Sequence, residues 1–444
     1  HSCNVGESKI KKSESTKTTD NNTFFLFECP VSETLRINNG DDLSTDSLRL
    51  FGDCTNKFII ETINAGASGT ITKTGYNTFQ GSGLSVNNVD ALGGANYDIS
   101  LSDLTNTTGW EIAPANFYWI DDSGDWNDPN QWSLSSGGPA AGCIPDSNDW
   151  VFFDVNSFTA PSQQVLVDDT AYFAYMDWTG ITDPQILALD SSIYVHGDMV
   201  LNTNLTVNKN LPSSSFRVKS NTQLTTNNAT INCDFAIVMN DNTNSFDLLD
   251  DYINSSATNL LLFNGGLNTQ GNRVETGNIV SINNPATGTD QREINFGSSE
   301  IRLFGEFNAL GDTVLNLLPG TSDLFIGDPS LNNGLITEGN NFYNVTLDFP
   351  NNSNAQRVEG ENTFNKLTIL AGSYVFLKED DTLVINDSLI MKGNCRDSIF
   401  LSTLDTASLT PASINKTGAD ILLECLNVKG VTNIGDQLTT YFST

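Results

Sequence analysis

Positive charge is scarce in this chain. Its 444 residues include 21 Lys and Arg against 53 Asp and Glu, which gives a formal net charge of −32 at pH 7. Nucleic acids and anionic membrane surfaces are therefore poor partners on electrostatic grounds. No apolar run approaches the roughly 18 residues of a membrane span, so we expect no membrane insertion. Divalent cations are the natural counterions of such a chain.

Catalytic signatures are missing as well. The two histidines are His1 and His196, and the sequence contains no serine elbow, catalytic cysteine context or phosphate-binding glycine loop. A polysaccharide lyase would combine a Lys, Arg, Tyr or His base with an acidic, metal-binding cleft. A glycosidase would need a pair of carboxylates, and no pair stands out among the acidic residues. The sequence predicts a protein that is not an enzyme.

Short strand-like runs fill the chain. They recur about every 8–12 residues between Gly, Asn and Asp turns, in a composition rich in Asn, Thr and Ser. The run FYNVTL at residues 342–347 returns as FNKLTI at residues 364–369, 22 positions later. A period near 22 suits one coil of a parallel β-solenoid. The fold class is therefore all-β, with a parallel β-solenoid as the prediction and a string of β-sandwich domains as the alternative.

A much longer repeat is superimposed on this pattern. Residues 46–54 (DSLRLFGDC) match residues 387–395 (DSLIMKGNC), and residues 70–75 (TITKTG) match residues 413–418 (SINKTG), both about 340 positions apart. We therefore expect a segment of a longer tandem array. The predicted organisation is the C-terminal part of one solenoid repeat at 1–115, a Trp-rich junction or capping module at 116–180, a solenoid at 181–386, and at 387–444 the start of a segment that matches about 46–104.

The Trp-rich stretch is centred on residues 117–158. All six tryptophans of the chain lie between Trp110 and Trp178, and four of them fall inside the stretch, among Gly, Pro, Asn and Asp residues that favour turns. One interpretation is a compact mini-core that joins or plugs longer elements. The other is an exposed platform on which sugar rings stack, with Trp126 and Trp132 as the ligand-binding candidates.

Two further kinds of site are candidates. Four side chains with oxygen atoms flank Gly124 at spacings that suit a calcium loop. These candidate ligands are Asp121, Ser123, Asp125 and Asp128. The alternative interpretation is that they form Asx turns and solvated acids. The seven cysteines are too widely spaced for a zinc knuckle or a CxxC motif. The candidate disulfide pairs, which suit an oxidising extracellular setting, are Cys395 with Cys425 and Cys29 with Cys54.

The Trp-rich stretch resembles a motif of very large, repetitive surface proteins of Bacteroidota, including gliding-motility adhesins exported by the type IX secretion system. The residues that carry the resemblance are Tyr118, Trp119, Gly124, Asp125, Trp126, Asn127, Asp128, Pro129, Trp132, Ser133, Ser136, Gly137, Gly138, Ile144, Pro145, Asp149, Phe152, Phe153 and Asp154. The resemblance implies an extracellular adhesin that is attached to the outer membrane through parts outside this chain.

Taken together, these observations predict a segment of a giant tandem-repeat adhesin. Its repeat region would mediate surface attachment and contribute to gliding motility. Expected partners are environmental or cell-surface polysaccharides or solid surfaces, and type IX secretion and anchoring components in the full-length protein. Calcium is the one cofactor considered. The alternative function is a carbohydrate-active or glycan-binding β-helix protein.

Overall fold

The computed structural model describes residues 34–435, apart from gaps at 65–67, 75–78, 94–95, 242, 283–290, 329–330, 351–355, 395, 406–409, 419 and 434. Before residue 34 it describes the backbone of four strands. The described residues form strands and turns without a helix, so they contain no helix that is long and apolar enough to cross a membrane.

The chain folds as a parallel β-solenoid of about 16 turns. It divides into two compact units, His1–Phe158 and Thr159–Thr444. The solenoid prediction is thus confirmed. The alternative of β-sandwich domains is wrong, because sandwich sheets are antiparallel whereas successive coils here pair in parallel.

The first unit contains parallel coils followed by the Trp-rich stretch. Its strands are β1 Asn4–Val5, β2 Ser8–Lys9, β3 Thr16–Thr18, β4 Asn22–Cys29, β5 Thr34–Ile37, β6 Asp42–Phe51, β7 Phe58–Thr62, β8 Gly69–Lys73, β9 Phe79–Ser82, β10 Leu84–Asn87, β11 Val89–Leu92, β12 Tyr97–Ser100, β13 Asp103–Thr105, β14 Trp110–Ile112, β15 Asn116–Trp119, β16 Gly124–Asp125, β17 Trp132–Ser133 and β18 Trp150–Phe152. One parallel sheet has the order β13-β10-β7-β5-β3, and a second runs β14-β12-β9-β6-β4, with β8 beside β6 and β11 beside β8. Antiparallel pairing occurs between β1 and its neighbours β2 and β4, and between β15 and β17.

The second unit continues the same plan. Its strands are β19 Gln164–Val167, β20 Ala171–Asp177, β21 Gln185–Leu189, β22 Ile193–Val200, β23 Leu205–Lys209, β24 Ser215–Val218, β25 Thr222–Thr225, β26 Thr230–Asn232, β27 Asp234–Val238, β28 Ser245–Leu248, β29 Tyr252–Ile253, β30 Asn259–Asn268, β31 Val274–Thr276, β32 Asn278–Ser281, β33 Arg292–Asn295, β34 Glu300–Leu303, β35 Glu306–Asn308, β36 Leu315–Leu318, β37 Asp323–Ile326, β38 Gly334–Ile336, β39 Asn341–Leu347, β40 Arg357–Glu359, β41 Thr363–Ile369, β42 Tyr374–Leu377, β43 Thr382–Lys392, β44 Ile399–Thr403, β45 Ala412–Lys416, β46 Ile421–Glu424, β47 Leu426–Lys429 and β48 Val431–Asn433. Residues 164–177, which the sequence had assigned to the Trp-rich module, form the coil strands β19 and β20 of this unit.

Apolar side chains alternate inward along each strand and stack from coil to coil. In β39 and β41 the register pairs Phe342 with Phe364 and Val345 with Leu367, and all four side chains are buried. The rings of Phe342 and Phe364 stack with their centroids 5.9 Å apart. The 22-residue sequence echo is therefore one turn of the solenoid.

The long repeat also has a structural counterpart. Leu48 and Leu50 are buried in β6, and Leu389 and Met391 occupy the matching places in β43. On the following coils, β8 pairs in parallel with β6 and β45 pairs in parallel with β43. Even an unusual feature recurs, since the lysines that end these two strands, Lys73 and Lys416, are each 1% exposed.

Candidate functional site

The Trp-rich stretch forms an aromatic core of its own. The indole of Trp132 lies at its centre and makes edge-to-face contacts with Trp119 at 5.1 Å and with Trp126 at 4.9 Å between ring centroids. Phe153 closes the cluster, with its ring centroid 5.8 Å from that of Trp132. The indole N–H of Trp132 donates to the Trp126 carbonyl at 2.7 Å, so this buried polar group is satisfied.

This packing corrects the prediction of a sugar-stacking platform. Trp126 and Trp132 are both 0% exposed, so neither indole face is open to a glycan. Clustered tryptophans supply more stabilisation when they bury one another than when they face water, and the turns around them allow that collapse. Trp150, which is 42% exposed, is the tryptophan of this stretch that faces solvent.

The predicted calcium loop is a series of tight turns. Asp121 and Asp122 have positive φ angles of 71° and 64°, and the indole N–H of Trp119 donates to the Asp122 carbonyl at 2.7 Å. The Asp128 carboxylate accepts the backbone N–H of Asn130 at 2.9 Å, as in an Asx turn. Within the described residues, no three His, Cys, Asp or Glu side chains are grouped as metal ligands. Calcium binding by Asp121, Ser123, Asp125 and Asp128 stays a prediction.

A disulfide joins the Trp-rich stretch to the solenoid of the first unit. Cys54 is bonded to Cys143, 89 positions along the chain, with 5.6 Å between the Cα atoms. The predicted pair Cys29–Cys54 is therefore wrong, because the stretch folds back onto the turn after β6, a contact that coil spacing does not reveal. Cys395 lies outside the described residues, so the pair Cys395–Cys425 stays a prediction.

Asp149 fixes the start of the same stretch. Its carboxylate accepts the backbone N–H groups of Ala115 and Asp146, each at 2.9 Å, and the residue is 6% exposed. Burial raises the pKa of Asp149 from 3.8 to about 6, although the two N–H donors oppose the rise. Because the folded pKa lies above the unfolded one, this group's contribution to stability falls between pH 4 and 6 and stays low above that range.

The second unit carries a partly exposed cluster of aromatic and basic side chains, which we call the Tyr194 face: Tyr172, Tyr194, His196, Arg217 and Lys219. The parallel register places Tyr172 beside Tyr194 and Tyr194 beside Arg217. The intervening residues Phe173, Val195 and Val218 point inward and are 0% exposed. Strand alternation therefore sets the face members outward on three consecutive coils.

Contacts within the Tyr194 face are close. The rings of Tyr172 and Tyr194 stack at 5.3 Å between centroids, and His196 lies 6.4 Å from Tyr172. Two cations cover the Tyr194 ring, with Arg217 Cζ at 5.9 Å and Lys219 Nζ at 5.1 Å from its centroid. Partial burial lowers the pKa of Lys219, and the neighbouring positive charge of Arg217 lowers it further.

Sequence reasoning missed this face. The signal was present, because IYVHG at residues 193–197 aligns with FRVKS at residues 216–220, 23 positions later and near the coil period. Each segment has two polar or aromatic residues that flank an inward Val. Comparisons with protein-family models, with curated proteins and with solved structures find no match to this chain.

Proposed function

We propose that this chain is a stalk segment of a giant, tandem-repeat adhesin on the outer surface of a bacterial cell. The supporting observation is the recurrence of similar buried residues at matching positions about 340 residues apart in a parallel solenoid. Stacked coils share stability between nearest neighbours, so such a stalk can be lengthened by adding repeats.

Charge and covalent structure support an extracellular setting for this stalk. The net charge of −32 makes neighbouring stalks repel one another and keeps them soluble. The Cys54–Cys143 disulfide is of a kind that persists in oxidising environments such as the cell exterior. In the full-length protein the proposal includes type IX secretion and outer-membrane anchoring components, and its external partners are polysaccharides or solid surfaces. Gliding motility is one process that such attachment would serve.

Surface exposure is the first test of this proposal. Antibodies raised against the purified chain should label intact cells that produce the protein, and brief external proteolysis should remove the label. A genomic deletion of this segment should reduce attachment of the cells to polysaccharide-coated surfaces. Labelling that requires permeabilised cells, or undiminished attachment after the deletion, would reject the adhesin proposal.

A further inference from the structure

The Tyr194 face is unusual because it concentrates positive charge in an acidic chain. Seven described basic residues elsewhere form ion pairs with carboxylates, among them Lys209 with Asp234 at 2.7 Å and Arg357 with Glu359 at 2.9 Å. Arg217 and Lys219 form no such ion pair with the residues that the structure describes. Arg217 lies in β24, and Lys219 directly follows the end of that strand. Their two positive charges are close together, and such proximity of like charges destabilises the folded state.

The aromatic side of the face adds a flat, partly apolar surface. Tyr172 is 38% exposed, and its ring continues the stack that Tyr194 begins. A tyrosine ring offers a broad apolar face with a hydroxyl at its edge, which suits a ligand that has both apolar and hydrogen-bonding surfaces. A sugar ring, with C–H groups on its faces and hydroxyls at its rim, has this character.

The backbone next to His196 departs from regular strand pairing. The pairing of β20 with β22 shifts register between Phe173 and Tyr175, as in a β-bulge. Gly197 is required there, because a Cβ would lie 2.0 Å from the Ala174 carbonyl oxygen. Ala174 is thus the neighbour of His196 and Gly197 on the preceding coil.

We propose that the Tyr194 face binds an anionic polysaccharide, with sugar rings on Tyr172 and Tyr194 and carboxylate or sulfate groups on Arg217 and Lys219. Charge complementarity favours this ligand. Arg217 and Lys219 both lie over the Tyr194 ring, and neither forms an ion pair with a carboxylate among the residues that the structure describes. The inference rests on the proposed adhesin function for its setting and deepens it by naming the ligand class and the residues that hold it.

The test uses the whole 444-residue chain and three polymers: a polyuronate, dextran sulfate and unmodified dextran. Binding is measured by biolayer interferometry at about 150 mM NaCl, where long-range attraction between exposed charges is screened. We expect the wild-type chain to bind at least one of the two anionic polymers and not dextran. The polyuronate and sulfate arms distinguish the two sources of negative charge.

The variant Arg217→Gln/Lys219→Gln should weaken that binding by about tenfold or more, equivalent to about 1.4 kcal/mol per factor of ten. Tyr172→Ser should weaken it several-fold while leaving the two charges in place. The matched control is Arg302→Gln, since Arg302 also lies over an aromatic ring, that of Phe325 at 4.6 Å, elsewhere in the same unit. Thermal melts of each variant verify that it is folded.

The proposal is overturned if wild type binds neither anionic polymer, if the double variant binds as well as wild type does, or if Arg302→Gln weakens binding equally. These outcomes concern the isolated chain and leave the surface-labelling test untouched. Conversely, the chain could bind an anionic polymer through this face while antibodies label only permeabilised cells. That result would support the binding site and reject the adhesin proposal.

Discussion

The buried ion pair between Arg292 and Asp312 offers a sharp test of how the solenoid core tolerates charge. Both side chains are 0% exposed. Two parallel hydrogen bonds join them, from Arg292 Nε to Asp312 Oδ2 at 2.8 Å and from Nη2 to Oδ1 at 2.7 Å. Arg292 also donates to the Phe263 carbonyl at 3.1 Å, and the Ser281 hydroxyl donates to Asp312.

Removing one partner should be far more harmful than removing both. Burial raises the pKa of Asp312, but the hydrogen bonds from Arg292 and Ser281 and the charge of Arg292 outweigh it, so the pKa falls below 3.8. Arg292→Met leaves this carboxylate buried and uncompensated, for which we expect a loss of about 3–5 kcal/mol. The double variant Arg292→Met/Asp312→Leu removes the charge as well and should lose no more than about 2 kcal/mol.

Amide hydrogen exchange in β33, β35 and β36 is the appropriate assay, because solenoids open locally and need not unfold in two states. Strands β19–β23, many coils away, should be unaffected. As a control, Lys392→Met breaks a pair whose side chains are 61% and 34% exposed and should cost about 1 kcal/mol or less. If the double variant loses as much as the single one, lost packing rather than an unpaired charge explains the effect, and the reasoning is refuted.

Four further predictions concern the Trp-rich stretch of the first unit. Cys143→Ser should lower the free energy of unfolding by about 2–4 kcal/mol in urea titrations, because it releases a closed loop of 89 residues; an unchanged midpoint contradicts the disulfide. Asp149→Asn should flatten the pH dependence of stability between pH 4 and 6, where wild type loses up to about 3 kcal/mol from this group as pH rises; equal slopes in variant and wild type contradict this. Trp132→Ala should cost about 3–5 kcal/mol, whereas Trp150→Ala, at an exposed position, should cost much less, and similar losses would mean that Trp132 is not the centre of a core. Calcium binding at residues 121–128 should raise the thermal midpoint by several degrees relative to chelator, and an unchanged midpoint rejects it.

The coil architecture was predictable because its signals are local. Inward alternation and the 22-residue echo between β39 and β41 follow from strand geometry and from stacking. Cross-coil neighbours elsewhere were not predictable, since the number of residues per coil varies. Leu260 pairs with Ile279 after 19 positions, whereas Leu383 pairs with Ile414 after 31.

The candidate sites were harder to predict than the fold. The sequence shows that the tryptophans cluster, but it does not show whether they bury one another or face a ligand. The structure answers this, because Trp132 packs at the centre of the cluster and its indole N–H donates to the Trp126 carbonyl. The partner of Cys54 was equally hidden, because Cys143 belongs to a stretch that leaves the coil path before folding back.

Parallel in-register stacking constrains where charge can lie on the outside of the coils. Several outward positions carry neutral amide ladders, such as Asn208 with Asn232 at 3.0 Å and Asn259 with Asn278 at 2.7 Å. The Asp250 carboxylate accepts backbone N–H groups of Thr226 and Asn227 from the neighbouring coil. These arrangements avoid like charges in contact or supply donors to an anion. The adjacent cations at positions 217 and 219 depart from this pattern, and an anionic ligand would compensate them where the described protein residues do not.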